Sequence, residues 1–360
     1  MLGHRTGVGE VTAGVLDGLN RRDDVTVSTY ALTWRGRDQL RGAVPAGVRT
    51  ATRPLPARAV RELWDRGASR PRIEDWTGPV DVVHATNFVA PPARAPVVVT
   101  VHDVTFIRFP ELCTPDTLRY PRLLERAIRR GAVVHTPSEF VADEIREFFS
   151  IAPDRVVPIH SGIPNVIAGD RGAGARAAGG DRYVLALGTI EPRKNLPTLI
   201  EAFDRVARRD EDLRLVLAGP PGWDAERVAA AVGDARASDR IVRLGFVADE
   251  LRGDLLAGAT VFAYPSLYEG FGFPPLEAMR AGVPVVASTA GSLPEILGDA
   301  AHLVAPTDVE ALAAAIEDYA NPDPNHRARA EAISRGLERV GRYQWEHTAA
   351  RLVDLYRGLV

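Results

Sequence analysis

Residues 261–287 read VFAYPSLYEGFGFPPLEAMRAGVPVVA. The apolar run Val261–Tyr264 predicts a buried strand, and the turn rich in Gly and Pro that follows predicts its end. Pro274 or Pro275 suits the first position of a helix, so the segment predicts a strand, a turn and a helix in succession. Ligands of α/β proteins bind at the carboxyl ends of strands, where the free N–H groups of the next helix also point. The turn is therefore a candidate ligand site.

Two carboxylates belong to this turn. Glu269 lies in the predicted loop and Glu277 in the first turn of the predicted helix, so both can reach one elongated ligand. Gly270 and Gly272 between them allow the backbone to approach a ligand closely. The alternative is a turn of Pro and Gly that carries two solvated glutamates. The Gly-Phe-Gly-Phe-Pro sequence between the carboxylates favours a ligand site.

A basic pair follows another predicted strand. Arg193 and Lys194 come after the apolar run Tyr183–Leu187, and Lys194 is the only lysine of the chain. At the carboxyl end of a strand, the two side chains can offer positive charges to a diphosphate. The alternative is an exposed basic pair in front of a helix that begins near Asn195.

His102 follows the predicted strand Val97–Val101, from where its ring can reach a ligand in a cleft. The alternative is a loop histidine that is tied to the neighbouring Asp103. Gly7 and Gly9 precede a predicted helix at 10–19 and can bring the backbone close to a ligand, although the Gly-x-Gly pattern alone is weak evidence.

Strand and helix patterns alternate along all 360 residues. Continuous Val and Ile runs are typical of parallel strands that are buried on both faces, and the length suits two domains. We predict two doubly wound Rossmann-like α/β domains, the first of which lacks its first strand because no apolar run precedes Gly7. The predicted parts are a domain at 1–165, a linker rich in Gly and Ala at 166–182, a domain at 183–342 and a terminal helix at 343–360.

Composition and motifs exclude several classes of protein. The net charge of −3 gives no indication of nucleic-acid binding. Cys113 is the only cysteine, so no intramolecular disulfide forms, which fits a reducing compartment. The first residues lack the apolar core of a signal peptide, and no apolar run approaches the roughly 18 residues of a membrane span. We therefore predict a cytoplasmic protein.

One sequence matches a metal-binding pattern. Asp210-Glu211-Asp212 has the Asp-x-Asp spacing that some metal-dependent enzymes use to bind their ion. It precedes a predicted strand and so lies at the edge opposite the expected site, which favours a solvated turn. With no cluster of Cys and His either, we predict neither a metal ion nor another cofactor.

The segment 264–282 resembles the signature of the retaining glycosyltransferases of family 4, which have the GT-B fold. The resemblance is closest to the mannosyl- and rhamnosyl-transferases of group 1, which act on surface polysaccharides and glycolipids. It extends over nearly the whole chain, because further segments fit the family's phosphate-binding turn, histidine loop, N-terminal glycine loop and two other motifs. These segments are 188–195, 101–106, 5–9, 161–164 and 291–295.

The resemblance implies a role for each candidate residue. A nucleoside diphosphate sugar binds mainly to the second domain and the acceptor to the first, while the terminal helix crosses back to the first domain. Arg193 and Lys194 stabilise the leaving diphosphate, Glu269 and His102 contact the donor sugar, and Glu277 holds the ribose hydroxyls. The other residues expected to bind the donor are Gly7, Gly9, Gly188, Phe246, Gly270, Phe271, Gly272 and Phe273.

The resemblance favours GDP-mannose as donor, retention of the anomeric configuration, a metal-independent reaction and a glycan or lipid-linked acceptor. A lipid-linked acceptor suggests peripheral contact with the inner face of the membrane, for which Arg clusters at 53–72 and 119–130 are candidates. The alternative is a solvated Arg face. Two other functions stay open, namely a sugar-nucleotide epimerase or hydrolase of similar shape and a non-catalytic nucleotide-sugar-binding subunit.

Overall fold

A computed structural model describes residues 7–32, 37–53, 57–164, 168–323 and 325–360. The chain divides into two compact units. The first unit comprises Met1–Pro164 together with Tyr343–Val360, and the second unit comprises Asn165–Arg342.

The first unit contains two parallel sheets. Its helices are α1 (Gly7–Asn20), α2 (Arg37–Ala43), α3 (Ala57–Asp65), α4 (Glu74–Thr77), α5 (Thr105–Arg108), α6 (Tyr120–Arg129) and α7 (Glu139–Phe149), and its strands are β1 (Ser28–Leu32), β2 (Arg49–Arg53), β3 (Val83–Ala85), β4 (Val97–Thr100), β5 (Val133–Thr136) and β6 (Val156–Pro158). β1 pairs with β2, and the other four strands form a sheet in the order β3-β4-β5-β6. Val98, Val99 and Val134 are fully buried, as expected for parallel strands that are covered on both faces.

The second unit is built on one parallel sheet of six strands. Its helices are α8 (Arg171–Ala178), α9 (Leu196–Val206), α10 (Ala225–Asp234), α11 (Asp249–Gly258), α12 (Phe273–Arg280), α13 (Leu293–Leu297), α14 (Val309–Tyr319) and α15 (Arg327–Val340), and its strands are β7 (Tyr183–Leu187), β8 (Arg214–Ala218), β9 (Ile241–Gly245), β10 (Val261–Tyr264), β11 (Val285–Ser288) and β12 (Ala301–Val304). The strand order is β12-β11-β10-β7-β8-β9. The chain thus runs outward in one direction from β7 and in the other from β10, which confirms the doubly wound class.

The predicted linker at 166–182 contains a helix, which corrects the interpretation of its composition. Asp170 caps α8 by accepting hydrogen bonds from the N–H groups of Gly172 and Ala173. A Cβ at Gly169 or Gly174 would overlap the backbone of α11, against which α8 packs. The glycines are therefore required for close packing of two helices, whereas the sequence pattern indicated flexibility.

Gly7 and Gly9 also differ from the prediction. They form the first turn of α1, which begins at Gly7, so they do not form a loop in front of the helix. The absence of a strand before Gly7 remains a prediction, because residues 1–6 lie outside the described residues.

The last helix, α16 (Trp345–Arg357), belongs to the first unit and packs against α1. Three glycines, Gly14 and Gly18 of α1 and Gly162, form a slot for Trp345, since a Cβ at any of them would collide with this residue. Trp345 is therefore a packing residue that joins the end of the chain to its start.

We expect Gly14→Ala to destabilise the first unit although alanine favours helices. The added methyl overlaps the indole ring of Trp345, and overpacking of this kind costs about 1–3 kcal/mol, more than the roughly 1 kcal/mol gained in helix propensity. Gly7→Ala is the matched control, because nothing lies within 4 Å of its added methyl. Urea unfolding measures both, and equal free energies of unfolding for the two variants would contradict the slot.

A buried chain of hydrogen bonds also holds α16. The Tyr356 hydroxyl lies 2.5 Å from Nδ1 of His84, whose Nε2 lies 2.7 Å from Oγ1 of Thr100. Thr100 lies 2.9 Å from Nδ1 of His135, whose Nε2 lies 3.2 Å from the carbonyl oxygen of Ile159. A carbonyl only accepts, so Nε2 of His135 carries the proton. With both rings neutral, Thr100 then donates to His135, His84 to Thr100, and Tyr356 to His84.

This series of hydrogen bonds makes the free energy of unfolding depend on pH. Burial lowers the pKa of His84 to about 3 and that of His135 to about 4, whereas both titrate near 6.5 in the unfolded chain. As the pH falls below about 6.5, the unfolded state therefore binds more protons, and the free energy of unfolding decreases by up to about 1.4 kcal/mol per pH unit for each histidine. Urea unfolding between pH 7.5 and 5 measures this slope. His135→Gln should reduce it, and a flat profile for the wild type would contradict neutral imidazoles.

Candidate active site

The candidate site lies at the carboxyl ends of β7 and β10, which are neighbours in the sheet of the second unit. Val184 pairs with Val261 and Leu185 with Phe262, so the loops that follow the two strands leave the sheet side by side. This is also the point at which the strand order reverses, where ligands of doubly wound folds bind.

The turn after β7 carries the basic pair. Residues Pro192–Lys194 form a 3-10 turn that ends at Asn195, which is left-handed with φ 54°. The buried Asn195 side chain donates to the carbonyl oxygens of Pro265 (3.2 Å) and Pro306 (2.7 Å). The N–H of Leu267 donates to the Arg193 carbonyl at 2.8 Å. These bonds fix the turn against the loop that follows β10. Asn195 was not among the predicted site residues.

Glu269 is the centre of the site. Nη1 of Arg193 donates to its Oε2 at 2.5 Å, and Nζ of Lys194 donates to its Oε1 at 2.8 Å. Nη2 of Arg193 also binds Glu191 at 2.7 Å, and Nζ of Lys194 also donates to the Tyr264 hydroxyl at 2.6 Å. The side chains of Arg193, Lys194 and Glu269 are 18, 12 and 8% exposed, so the cluster is largely shielded from water.

The charges of this cluster determine its protonation. Burial alone would raise the pKa of Glu269, but Arg193 and Lys194 outweigh it and lower that pKa to about 2. Burial lowers the pKa of Lys194, against the opposing effect of Glu269. The Tyr264 hydroxyl, whose pKa is raised by burial and by Glu269, stays protonated. Glu269 is thus an anion at neutral pH, in close contact with two cations.

The loop after β11 holds the backbone of Glu269. The N–H of Ser292 donates to the Glu269 carbonyl at 2.9 Å. Gly291 has φ 62°, and a Cβ there would overlap the Glu269 backbone. Only glycine satisfies both requirements, so the Gly291-Ser292 pair fixes the loop in which Glu269 lies.

Glu277 lies in the second turn of α12 rather than in the first, because the helix begins at Phe273, one or two residues earlier than predicted. It is almost completely buried and forms an ion pair with Arg252 of α11. Arg252 was missed in the sequence, where nothing links it to Glu277. Pro274 and Pro275 have no N–H, so the first turn of α12 can offer the backbone donors of Gly272 and Phe273 only.

The other predicted binding residues of the second unit surround these groups. Gly188 follows β7, and its φ of 142° brings it close to the Lys194 side chain. Gly270 and Phe271 are buried, and the rings of Phe271 and Phe273 lie 4.9 Å apart. Phe246 follows β9 and is 56% exposed.

His102 lies in the first unit, after β4. Its Nε2 is 2.9 Å from the Thr86 carbonyl oxygen and must donate to it, which leaves Nδ1 as an acceptor in the neutral ring. Desolvation lowers the pKa of His102 and favours this neutral form. The Thr12 hydroxyl of α1 donates to that of Thr86 at 3.2 Å, so the helix that contains Gly7 and Gly9 approaches the same loop. The alternative interpretation tied His102 to Asp103, but the Asp103 carboxylate accepts from the N–H of Thr105 at 3.0 Å.

Asp210 of the Asp-x-Asp sequence has a structural partner. Arg182 donates to both of its carboxylate oxygens, at 2.9 and 2.7 Å, near the amino ends of β7 and β8. Within the part of the chain that the structure describes, no group of three His, Cys, Asp or Glu side chains is arranged to hold a metal ion.

Family profiles and a relative decide the classification. The profile of Glycosyltransferase Family 4 matches residues 5–165, and that of the group 1 glycosyl transferases matches residues 173–336. O-antigen chain mannosyltransferase B of Escherichia coli is 33% identical over 77% of this chain and 74% of its own length. The chain belongs to the group 1 glycosyltransferases. It is a GT-B enzyme that uses a nucleotide sugar.

More distant proteins match over almost the whole chain. MMP alpha-(1->4)-mannosyltransferase of Mycolicibacterium hassiacum is 27% identical over 94% of this chain and 87% of its own. The solved structures of Anabaena Alr3699/HepE in complex with UDP and glucose and of the lipopolysaccharide glycosyltransferase WaaG each superpose with a TM-score of 0.74, covering 99% of this chain and 97% of theirs. At 19 and 16% identity, they show the GT-B fold alone.

Among the described residues, no helix has both the length and the apolar character that crossing a bilayer requires.

We expect Tyr264→Phe to lower kcat/KM about fivefold while the protein stays folded. The variant removes the hydroxyl that holds Nζ of Lys194, which costs about 1 kcal/mol of positioning, and phenylalanine fills the same buried space. Tyr183→Phe is the matched control, since its hydroxyl donates to Leu255 at 2.6 Å elsewhere in the same unit. Steady-state transfer assays measure both variants. An equal loss in both would assign Tyr264 to packing rather than to positioning.

Proposed function

We propose that this glycosyltransferase moves a mannosyl group, a hexose, from GDP-mannose to a glycan or lipid-linked acceptor, with retention and without a metal ion. The observation that carries the proposal is the buried cluster of Arg193, Lys194 and Glu269 at the switch point of the second sheet. Mannose is supported by the names of the two relatives above, both of which are mannosyltransferases.

In the proposed reaction, the diphosphate binds beside Arg193 and Lys194 and shares these cations with Glu269. The C1–O bond to the diphosphate breaks, and negative charge grows on the leaving group. The contacts with the two cations then become stronger, which lowers the barrier. Glu269 faces the positive charge that develops on the donor sugar. The acceptor oxygen forms the new bond to C1 from the same face, and its proton passes to the leaving phosphate.

The nucleoside is proposed to lie along α12. Glu277 binds the ribose hydroxyls through charge-assisted hydrogen bonds, and the ion pair with Arg252 fixes the orientation of its carboxylate. Phe246, which is more than half exposed, contacts the base. Gly188, Gly270, Phe271, Gly272 and Phe273 line the path of the diphosphate, where Gly272 and Phe273 supply backbone donors.

The first unit is proposed to bind the acceptor. Nδ1 of the neutral His102 is suited to accept a hydrogen bond from a sugar hydroxyl. Gly7 and Gly9, in the first turn of α1, are proposed to bring the backbone close to a bound ligand. With a lipid-linked acceptor, the protein works in the cytoplasm at the inner face of the membrane, and the exposed Arg122 and Arg129 of α6 are candidates for contact with anionic headgroups.

A metal-independent reaction is supported by the charges of the site. Arg193 and Lys194 supply the positive charge that a divalent metal ion supplies in other enzymes. The carboxylate of Asp210, the first residue of the Asp-x-Asp sequence, already forms an ion pair with Arg182.

A panel of nucleotide sugars in excess EDTA tests this function. Thermal shifts identify the donor, and a transfer assay with the best donor follows. We expect GDP-mannose to give the largest shift and full transfer in EDTA. A larger shift with UDP-glucose would refute the donor, and loss of activity that Mg²⁺ restores would refute metal independence. Donor turnover without any acceptor would indicate an epimerase or hydrolase, and binding without turnover would indicate a non-catalytic subunit.

The two glutamates should give opposite results when each is changed to glutamine. Glu277→Gln should weaken GDP binding about 10–100-fold, because charge-assisted bonds to the ribose are lost. Glu269→Gln should leave GDP binding equal or tighter, since the two cations lose their carboxylate, while kcat falls about 100-fold. Calorimetry with GDP and steady-state kinetics separate the two effects.

Glu191→Gln is the control for charge, since Glu191 pairs with Arg193 but not with Lys194. It should tighten GDP binding without a comparable loss in kcat. Wild-type affinity in Glu277→Gln would contradict the ribose contact, and unchanged kcat in Glu269→Gln would contradict contact with the donor sugar.

A further inference from the structure

A second cavity lies in the first unit, at the amino end of its four-stranded sheet. It has a volume of about 560 Å³, within the range of small-molecule sites. Its walls are the end of α3, the loop 89–96 that leads into β4, and one face of α6. On α6 the lining residues Leu123, Arg126, Ala127 and Arg130 follow helical spacing, so a continuous stripe of the helix faces the cavity.

Four arginines line this cavity, namely Arg72, Arg94, Arg126 and Arg130. Arg126 donates to the carbonyl oxygens of Trp64, at 2.8 Å, and of Asp65. Arg130 donates to the carbonyl of Gly67 at 2.8 Å. These carbonyls hold the side chains in place but do not neutralise them, in contrast to carboxylates.

Two acidic side chains lie near the cavity, those of Asp65 and Glu74, and each accepts hydrogen bonds from its neighbours. The Asp65 carboxylate, which lines the cavity, accepts from Arg119. Glu74 lies behind the loop and near Arg94, and its Oε1 accepts from the N–H groups of Arg94 (2.5 Å) and Ala95 (2.9 Å). These bonds brace the loop that forms one wall. The cavity therefore has a positive surplus on rigid walls.

The rest of the lining is apolar. Trp64, Pro91, Pro92, Leu123 and Ala127 contribute surface between the guanidinium groups. Guanidinium groups bind tetrahedral oxyanions through paired hydrogen bonds, and apolar walls favour a ligand with a hydrophobic part. We propose that this cavity binds a phosphate monoester or diester that carries an apolar group.

This site is separate from the proposed reaction. Val97, which lines the cavity, begins β4, whereas His102 follows the end of that strand. The four residues of β4 span about 13 Å at roughly 3.3 Å per residue. A ligand in the cavity thus lies at the opposite end of β4 from His102, and the cavity can be tested independently of the transfer reaction.

Calorimetry on the full chain, with GDP present in excess, tests the proposal. The probes are inorganic phosphate and dihexanoyl phosphatidic acid below its micelle concentration, with dihexanoyl phosphatidylcholine as the probe without net charge. We expect saturable binding of one phosphatidic acid per chain, weaker binding of inorganic phosphate and none of phosphatidylcholine. Arg72→Gln and Arg94→Gln should each weaken binding about tenfold, the effect of one lost charge-assisted bond.

Arg21→Gln is the matched control. Arg21 also belongs to the first unit, but it pairs with Asp17 and Glu346 on the surface and does not line the cavity. The affinity of this variant should equal that of the wild type. No saturable binding of either phosphate probe, or an equal effect of Arg72→Gln and Arg21→Gln, would overturn the proposal.

Vesicles of phosphatidic acid distinguish a lipid from a soluble ligand. Binding to vesicles that is weakened by Arg72→Gln and competed by the monomeric probe supports a lipid headgroup. Binding of the monomeric probe without vesicle binding supports a soluble phosphate ester. Vesicle binding that persists in Arg72→Gln and Arg94→Gln, with no binding of the monomer, would overturn the cavity as the site.

Discussion

The architecture of the active site depends on one buried carboxylate between two cations. At 8% exposure, the charge of Glu269 requires compensation, because an unpaired charge in this position would cost several kcal/mol. Arg193 and Lys194 provide it from a single short turn. Three neighbouring residues hold the partners of these ion pairs in place. Asn195 ties the turn to the loop of Glu269, Tyr264 orients Lys194, and Gly291 supports the backbone of Glu269. The site is therefore assembled by electrostatic compensation before any substrate binds.

This compensation requires the doubly wound topology. Arg193 and Glu269 are far apart in the sequence and meet because β10 lies beside β7, at the point where the order of the strands reverses. In a sheet with sequential strand order, β8 and β9 would separate the two loops. The Val and Leu residues make these strands apolar on both faces, and such strands are most stable at the centre of the sheet, where helices cover both faces. Their side chains thus determine where the charged groups meet.

The sequence predicted what depends on local pattern. The strands before Arg193, Glu269 and His102, and hence the edge at which these side chains lie, follow from apolar runs. The ion pairs of Glu269 with Arg193 and of Glu277 with Arg252 depend on strand and helix neighbours that one sequence does not reveal. Glycine was the main source of error. At Gly169 and Gly174 its small size allows two helices to touch, whereas the same composition also describes a flexible linker. By contrast, the sequence alone establishes that Pro274 and Pro275 offer no backbone N–H groups to a ligand.

The charges of the proposed donor site balance in the free protein, and this has a consequence for specificity. Arg193 and Lys194 are matched by Glu191 and Glu269, so a bare anion gains little by entering, since it must share cations that are already paired. In the proposed complex, a nucleotide donor adds contacts with Glu277, Phe246 and the backbone at Gly272, and these provide the binding energy that the neutral cluster does not. The cavity of the first unit has the opposite character. There, backbone carbonyls hold the guanidinium groups of Arg126 and Arg130 without cancelling their charge, so that in our proposal phosphate itself is the attractive feature. The two proposed sites thus present arginine to phosphate in two ways, one that selects for the rest of the ligand and one that selects for the anion.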